Sequence, residues 1–555
     1  MRGSRALLKM LEDRGVTKIF GYPGGSVLPV YDEMLDSSID HILVRHEQCA
    51  GHMADGFARA SGRPGVCLVT SGPGATNVVT GVGTAFADSV PMIALTGQVA
   101  SGALGLGTFQ EVDAFSLMMP VTKYGYRVLE LPQLPRAGDE GWKICQMGRP
   151  GPVHIDLPVD SMSSEIDESF IYKSYDVRTP RTDLSGLPAA IEAIKTSRKP
   201  VILAGGGTIG SDTCEQMVKL AELIGAPVVT PLMGVGAIPY DHPLNLGTLG
   251  MHGRISAYSI IKEADLVIAL GCKFSDRTYS PHTRVSQGCR IVHVDIDSTE
   301  FNKHDAMCVN ILGDLRTVLD MMIEGLSGIS SHPEWLAVAA GYRARCAQCK
   351  TDYDNTPILP QRIMHELNKF IDDDTIVTTD VGQNQMWAMH HLKIRRPRQF
   401  ISSGSFGTMG FGLPSAIGAK CAFPEKKVVT VVGDGGLLMV MQELATAVAE
   451  NLPVVICLIN NGWLGMVRQL QELFWNKRYS GTKLGGNPDF VKLAEAFGAK
   501  GVTVEKPGDI EDAFRQAFAS DKPFIVNILA DPEEDMVPML PPNPAIPLVR
   551  GRCTF

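Results

Sequence analysis

The feature that most constrains this fold is an alternation of short runs, apolar at nearly every position, with stretches of helical periodicity. The middle third carries KPVILA, APVVTPL, ADLVIALG and RIVHVDID; the last third carries TIVTTD, KVVTVVG, PVVICLIN and PFIVNIL. A strand with one solvated face alternates apolar and polar residues. These runs do not alternate, so both faces are buried, as in parallel sheets covered by helices on both sides. A chain of 555 residues is too long for one core. The expected fold is therefore α/β, with three doubly wound parallel-sheet domains at 1–165, 187–330 and 358–545. Two polar joints separate them: a Ser- and Asp-rich stretch at 160–186 and a turn-rich stretch from about Ser327 to Pro360. In such sheets ligands bind beyond the carboxyl ends of the strands, which makes strand-end residues the first place to look.

Charge and hydropathy remove several function classes. The net charge is -9, from 51 basic and 60 acidic residues, and no long basic run offers a nucleic-acid surface. No apolar run reaches the length of a membrane span. The N-terminal SRALLKMLEDRGV reads as an amphipathic helix leading into the strand KIFGYP, not as a signal or transit peptide, so the expected location is cytoplasmic. The twelve cysteines are scattered. Cys346 and Cys349 have CxxC spacing without a second pair of ligands nearby, and read as two thiols on one helix face.

One strand end asks for a ligand. In VVTVVGDGGLLMVMQELATAV (428–448) a β-branched run stops at Gly433-Asp434-Gly435-Gly436, and a helix is expected over 437–451. Glycines at such a corner let a backbone approach phosphates, which an acid alone would repel. The next strand, VVICLI, ends in Asn460-Asn461, and a βαβ unit would set one of these amides beside Asp434. A carboxylate with an amide oxygen suits a hard cation such as Mg²⁺, which would stand between the acid and the phosphates. A lone GDG would be read as an ordinary turn with a capping Asp; the paired Asn favours the metal.

These residues carry a family resemblance. GDG followed by NN resembles the metal motif of thiamine diphosphate (ThDP) enzymes. GYPGGSVLPVYD (21–32), VRHEQCAGHMADGFARASG (44–62), TSGPGATNVVTG (70–81), GRPGPVHIDLP (148–158), TTDVGQNQMW (378–387) and GTMGFGLPSAIGAK (407–420) resemble the catalytic subunits of acetolactate (acetohydroxyacid) synthases. The resemblance covers nearly the whole chain. It implies Asp434, Asn461 and the backbone oxygen of Trp463 as Mg²⁺ ligands, and Glu47 as the acid that activates the cofactor. It implies Met409 as the residue holding the cofactor bent, and Gln383 and Asn384 at its diphosphate. Asn384 stands where the family usually has His, and its amide is expected to donate to phosphate. Gly25, Pro73, Asn77, Gly407, Gly435, Gly436 and Met466 complete the implied ThDP contacts.

GGGTIG (205–210) follows a strand and fits GxGxxG, a weak signal alone. The resemblance implies FAD in a structural role, held by Arg149, Gly205, Gly206, Gly207, Thr230, Leu232, Met233, Gly250, Met251, His252, Asp295 and Ile296. It also implies that Gln110 and Arg277 orient substrate, Arg277 by pairing with a 2-keto acid carboxylate. The expected reaction decarboxylates pyruvate and transfers its hydroxyethyl unit to a second 2-keto acid, giving 2-acetolactate. Glu47 and Asp434 fall in different domains, and in the family the two halves of a site come from two subunits. A homodimer or homotetramer is therefore implied, with a regulatory small subunit as a further partner.

The acceptor channel departs from the family. Leu470 stands for a usual Trp, Ala100 for Pro, Gly102 for Arg and Val159 for Lys. Losing that Trp should weaken a preference for 2-ketobutyrate over pyruvate, and the changes admit a ThDP lyase or carboligase acting on aldehydes or another acceptor as an alternative. An NAD-dependent oxidoreductase built on GGGTIG and a non-catalytic homologue are the remaining rivals.

Overall fold

The apolar runs are strands, and every ladder between them is parallel. The computed structural model describes residues 1–130, 133–167, 182–280, 282–303, 308–329, 331–541, 547–549 and 551. Most of the first polar joint (168–181) and the end of the last expected domain (542–545) lie outside the described residues.

The first sheet holds β1 (Lys18–Tyr22), β2 (Asp40–Leu43), β3 (Gly65–Val69), β4 (Met92–Gln98), β5 (Tyr124–Arg127) and β6 (Pro152–Pro158), in the order β2-β1-β3-β4-β6-β5. The middle sheet holds β7 (Pro200–Ala204), β8 (Val228–Thr230), β9 (Asn245–Thr248), β10 (Leu266–Leu270), β11 (Arg290–Asp295) and β12 (Cys308–Leu312), in the order β12-β11-β10-β7-β8-β9. The third holds β13 (Ile376–Thr379), β14 (Phe400–Ser402), β15 (Val428–Gly433), β16 (Val455–Asn460), β17 (Lys500–Val504) and β18 (Phe524–Leu529), in the order β14-β13-β15-β16-β18-β17. The first and third sheets thus share one winding, while the middle sheet has the Rossmann order. In each, the chain reverses its direction of travel between two neighbouring strands: β1 and β3, β7 and β10, β13 and β15. A crevice opens at the carboxyl end of such a pair, because the two following connections leave to opposite faces.

The middle sheet has its own cores on its two faces. The first and third sheets share one. Phe20, Met53 and Val82 belong to the same buried cluster as Phe411, Ile417 and Leu458. Across this seam Arg59 lies between the buried carboxylates of Asp55 and Asp88 and donates to Ser402 O at 3.0 Å. Asp88 in turn accepts from the backbone N–H of Gly404 (2.8 Å) and Ser405 (2.7 Å).

Two expected elements differ. The helix expected over 437–451 is broken: Asp434–Leu438 and Glu443–Ala449 are helical, joined by tighter i to i+3 turns. The tightening sets Glu443 against the first domain, where it accepts the Arg45 N–H at 3.0 Å. The second joint contains a helix, Pro333–Ala347, with Trp335 and Ala339 buried on the middle sheet. Trp335 Nε1 donates to Pro200 O at 2.9 Å. Its other apolar positions are not gathered on one face, which is why the stretch reads as a linker.

Candidate active site

The switch point of the third sheet forms a cleft between the ends of β13 and β15. Gln383, Asn384, Met409, Asp434, Asn461 and Met466 line it, and all its described lining residues belong to the third domain. Two helices, Gln383–His391 and Gly465–Phe474, begin at its wall. Their first N–H groups and positive dipole ends suit an anion such as a diphosphate.

Asp434 is 1% exposed at the end of β15. Its Oδ1 accepts from Gly435 N (3.0 Å), and its Oδ2 from Gly462 N (2.7 Å) and Asn487 Nδ2 (2.8 Å). Burial pushes its carboxyl group above the usual range, and the hydrogen bond from Asn487 leads the opposing effects. Asn461 Oδ1 accepts from Trp463 N at 3.1 Å, which folds the 461–463 turn back over the cleft. The segment is held in place by Leu464 N to Thr482 O and Leu484 N to Gly462 O, both at 2.8 Å. The carboxylate, the amide oxygen and nearby backbone carbonyls make an all-oxygen donor set, which fits Mg²⁺ better than a softer metal.

Asn487 is a residue that motif reasoning missed. It also donates to Asn460 Oδ1 at 3.1 Å, so one amide joins the ends of β15 and β16. It lies in the loop GGNPDF, where no spacing rule would have singled it out. Asp380, at the end of β13, was missed as well. Its buried carboxylate accepts from Val381 N (2.8 Å), Gly410 N (3.0 Å) and Gly412 N (3.0 Å), and so fixes the loop that carries Met409. Burial pushes its carboxyl group up to about 6.

The amides at Gln383 and Asn384 are committed differently from expectation. Asn384 Nδ2 donates to Asp380 O and Val431 O, each at 3.0 Å, so its side-chain donors are used within the protein. Only its backbone N–H, in the first turn of its helix, is left for an anion. Gln383 Nε2 donates to Gln469 Oε1 (2.9 Å) and Glu534 O (3.3 Å), while its Oε1 is buried without a partner. A lone acceptor there suits a donor such as a metal-bound water better than a phosphate oxygen. A Cβ on Gly465 would lie 2.1 Å from that oxygen, which explains the glycine.

The first-domain candidates gather at the carboxyl ends of β1 to β4. Glu47 opens the helix Glu47–Ser61, and its Oε2 accepts from Asn77 Nδ2 at 3.0 Å. Gly72 abuts Gln110, so closely that a Cβ would lie 2.8 Å from Gln110 O. Gly25 begins the short turn of helix after β1, and Pro73 begins the helix Pro73–Ala87 after β3. Ala100, Gly102 and Val159 sit together at the ends of β4 and β6, joined by Ser101 N to Asp160 Oδ1 at 2.9 Å. Leu470 is half-buried on the helix Gly465–Phe474.

The middle-domain candidates follow one edge: Gly205–Gly207 after β7, Thr230–Met233 after β8, Gly250–His252 after β9, and Asp295 with Ile296 at the end of β11. Gly205 and Gly207 pack against Gly271 of the switch-point neighbour; a Cβ on Gly207 would lie 2.7 Å from Gly271 Cα. Arg149 reaches this edge from the first domain, paired with Asp297 (3.2 Å) and Glu300 (3.0 Å). His252 is buried, which pushes its imidazole down to about 4. Arg277 is exposed beside it, with Nη1 3.4 Å from Met251 Sδ.

Comparison with known proteins agrees with this arrangement. Residues 1–117, 187–322 and 380–528 match the N-terminal TPP binding domain, the central domain and the C-terminal TPP binding domain of thiamine pyrophosphate enzymes. A probable acetolactate synthase large subunit of Methanocaldococcus jannaschii is 45% identical, over 98% of this chain and 94% of its own. The acetolactate synthase isozyme 3 large subunit of Escherichia coli K12 is 40% identical, over 97% and 96%. The acetolactate synthase large subunit of Corynebacterium glutamicum is 40% identical, over 97% and 88%. The three α/β units, the GDG corner of the third and these full-length relatives agree: the chain belongs to the thiamine pyrophosphate enzymes, in the family of acetolactate synthase large subunits.

Proposed function

We propose that the protein is a ThDP- and Mg²⁺-dependent acetolactate synthase, which decarboxylates one pyruvate and joins its remaining two carbons to a second, giving 2-acetolactate and CO₂. The observation that carries this reading is the cleft at the third switch point, where Asp434 and Asn461 face two helix N-termini. When bound, ThDP supplies the electron sink that decarboxylation of a 2-keto acid needs and that no side chain provides. Asp434, Asn461 and the Trp463 carbonyl hold the metal, and backbone N–H groups of the two helices hold the diphosphate. Met409 provides an apolar wall. Glu47 stores and returns a proton at its carboxyl oxygen, held in orientation by Asn77. Arg277 receives the substrate carboxylate, with Gln110 as a second orienting group.

The cleft has no described wall from the first domain, while the Glu47 group faces outward from that domain. We infer that a second copy of the chain brings its Glu47 to the cleft, making a homodimer or a dimer of dimers the active form. FAD, in a structural role, is proposed for the carboxyl edge of the middle sheet, where the loops after four strands converge. A small regulatory subunit and a cytoplasmic location belong to the same reading; buried thiols such as Cys67, Cys272 and Cys457 suit a reducing compartment.

Product analysis tests the proposal: pyruvate alone, then pyruvate with 2-ketobutyrate, in the presence of ThDP, Mg²⁺ and FAD. Acetolactate from pyruvate alone is expected. Turnover of aldehydes with no acetolactate would overturn it.

A further inference from the structure

We propose that Glu443 is a positioning residue for Glu47: from the third domain it grips the turn that presents the activating acid. The inference rests on the reading of Glu47 given above. Glu47 is the first residue of its helix, so its direction follows from the backbone at residues 43–49. Glu443 has 0% exposure, and its Oε1 accepts the Arg45 N–H at 3.0 Å, two residues before Glu47. The Cys49 thiol, two residues after Glu47, lies close to the same carboxyl group, with Sγ 4.0 Å from Nε2 of the neighbouring Gln442. Thr446, one turn further on, reaches the carbonyl of Leu43 at 3.2 Å and Glu443 Oε2 at 2.7 Å. Residues 43 and 45 are thus hydrogen-bonded from one short helix of the other domain, and residue 49 lies against its first turn.

The hydrogen count says how the grip is made. Thr446 has one hydroxyl proton and two oxygens within reach. It donates to Glu443 Oε2 in the shorter contact, while Leu43 O also accepts from Arg45 Nη1 at 2.7 Å. Glu443 then accepts with both oxygens, Oε1 from the Arg45 N–H and Oε2 from Thr446. Glutamine keeps the acceptor oxygen for the Arg45 N–H, and its amide nitrogen can donate to Thr446 Oγ1, whose proton then turns to Leu43 O. Methionine keeps the volume and loses both bonds.

The test uses the full chain and three readouts. The first is deuterium exchange at C2 of bound ThDP, measured by NMR after acid quench. The others are ThDP affinity in saturating Mg²⁺ and amide exchange over residues 43–49 without cofactor. Glu443→Met should loosen the 43–49 amides and slow C2 exchange about 100-fold, the scale of a misplaced catalytic group. ThDP affinity should hold, because the third domain supplies the metal and diphosphate contacts. Glu443→Gln should restore C2 exchange to near the parent rate. Should Glu443→Met fail to fold, Thr446→Val carries the test, with an expected slowing of about tenfold. Unchanged C2 exchange in a folded Met or Val variant overturns the proposal, as does a Gln variant as slow as Met. A Glu47→Gln control separates the two levels: if that variant exchanges at the parent rate, the role of Glu47 itself fails.

Discussion

The carboxylate of Asp380 occupies the space that a side chain on Gly436 would need. A Cβ there would lie 2.4 Å from Oδ1. Asp380 cannot retreat without abandoning the N–H groups of Val381, Gly410 and Gly412. The second glycine of the corner therefore serves the interior of the protein as well as any phosphate. Gly436→Ala should destabilise the fold by about 1–3 kcal/mol, the usual cost of overpacking. Chemical denaturation would show it as a lower midpoint with an unchanged slope. The double variant with Asp380→Gly should lose less than the sum of the two single losses, because the two sites share the clash.

Asp380 also makes stability depend on pH in a predictable direction. Its carboxyl group sits at about 6 in the fold against 3.8 in a free chain. Between those values the native state binds more protons than the unfolded one, so this group's contribution rises as pH falls from about 7 to about 4. Asp380→Asn removes the titration and turns an amide N–H₂ toward backbone donors. Denaturation of parent and variant across that range should show the parent's advantage growing as pH drops. A pH-independent difference would contradict this assignment.

Asn487 holds Asp434 from the side. Asn487→Ala should lower Mg²⁺ affinity about 10- to 100-fold, as losing a partner that orients a metal ligand usually does. Titrating Mg²⁺ at saturating ThDP would read the shift. Saturating Mg²⁺ should restore most of the activity, since no group of the reacting centre is removed.

We propose that Leu470 belongs to the acceptor wall. An apolar wall distinguishes one methylene by about 1–3 kcal/mol. Leu470→Trp should raise the share of 2-ketobutyrate-derived product when both acceptors compete. An unchanged product ratio would remove this position from the acceptor wall.

The strands were legible because burial on both faces leaves no alternation, and KVVTVVG or PVVICLIN has few other readings. The helix after Asp434 was legible in kind but not in course. Its break at 439–442 serves a contact with Arg45, some four hundred residues away, which no local pattern encodes. Asn487 and Asp380 stayed hidden for a related reason: Asn487 joins two strand-end side chains from a distant loop, and the Asp380 carboxylate binds only backbone N–H groups, so neither leaves a spacing. The donor atoms of Asn384 could not be assigned from sequence, because Asp380 O and Val431 O claim them only once β13 and β15 lie side by side.

The core shared by the first and third sheets bears on how the chain comes apart. Phe20 and Leu458 belong to one apolar cluster, and the hydrogen bond from Arg59 to Ser402 O crosses the same seam. Neither sheet can lose its packing alone without exposing the other's inner face. The molecule has three sheets, yet calorimetry should count two melting units, a middle one and a composite one. The order of the chain is then not the order of its folding: the composite unit closes only after the last third has been synthesised, with the middle domain already able to stand on its own cores.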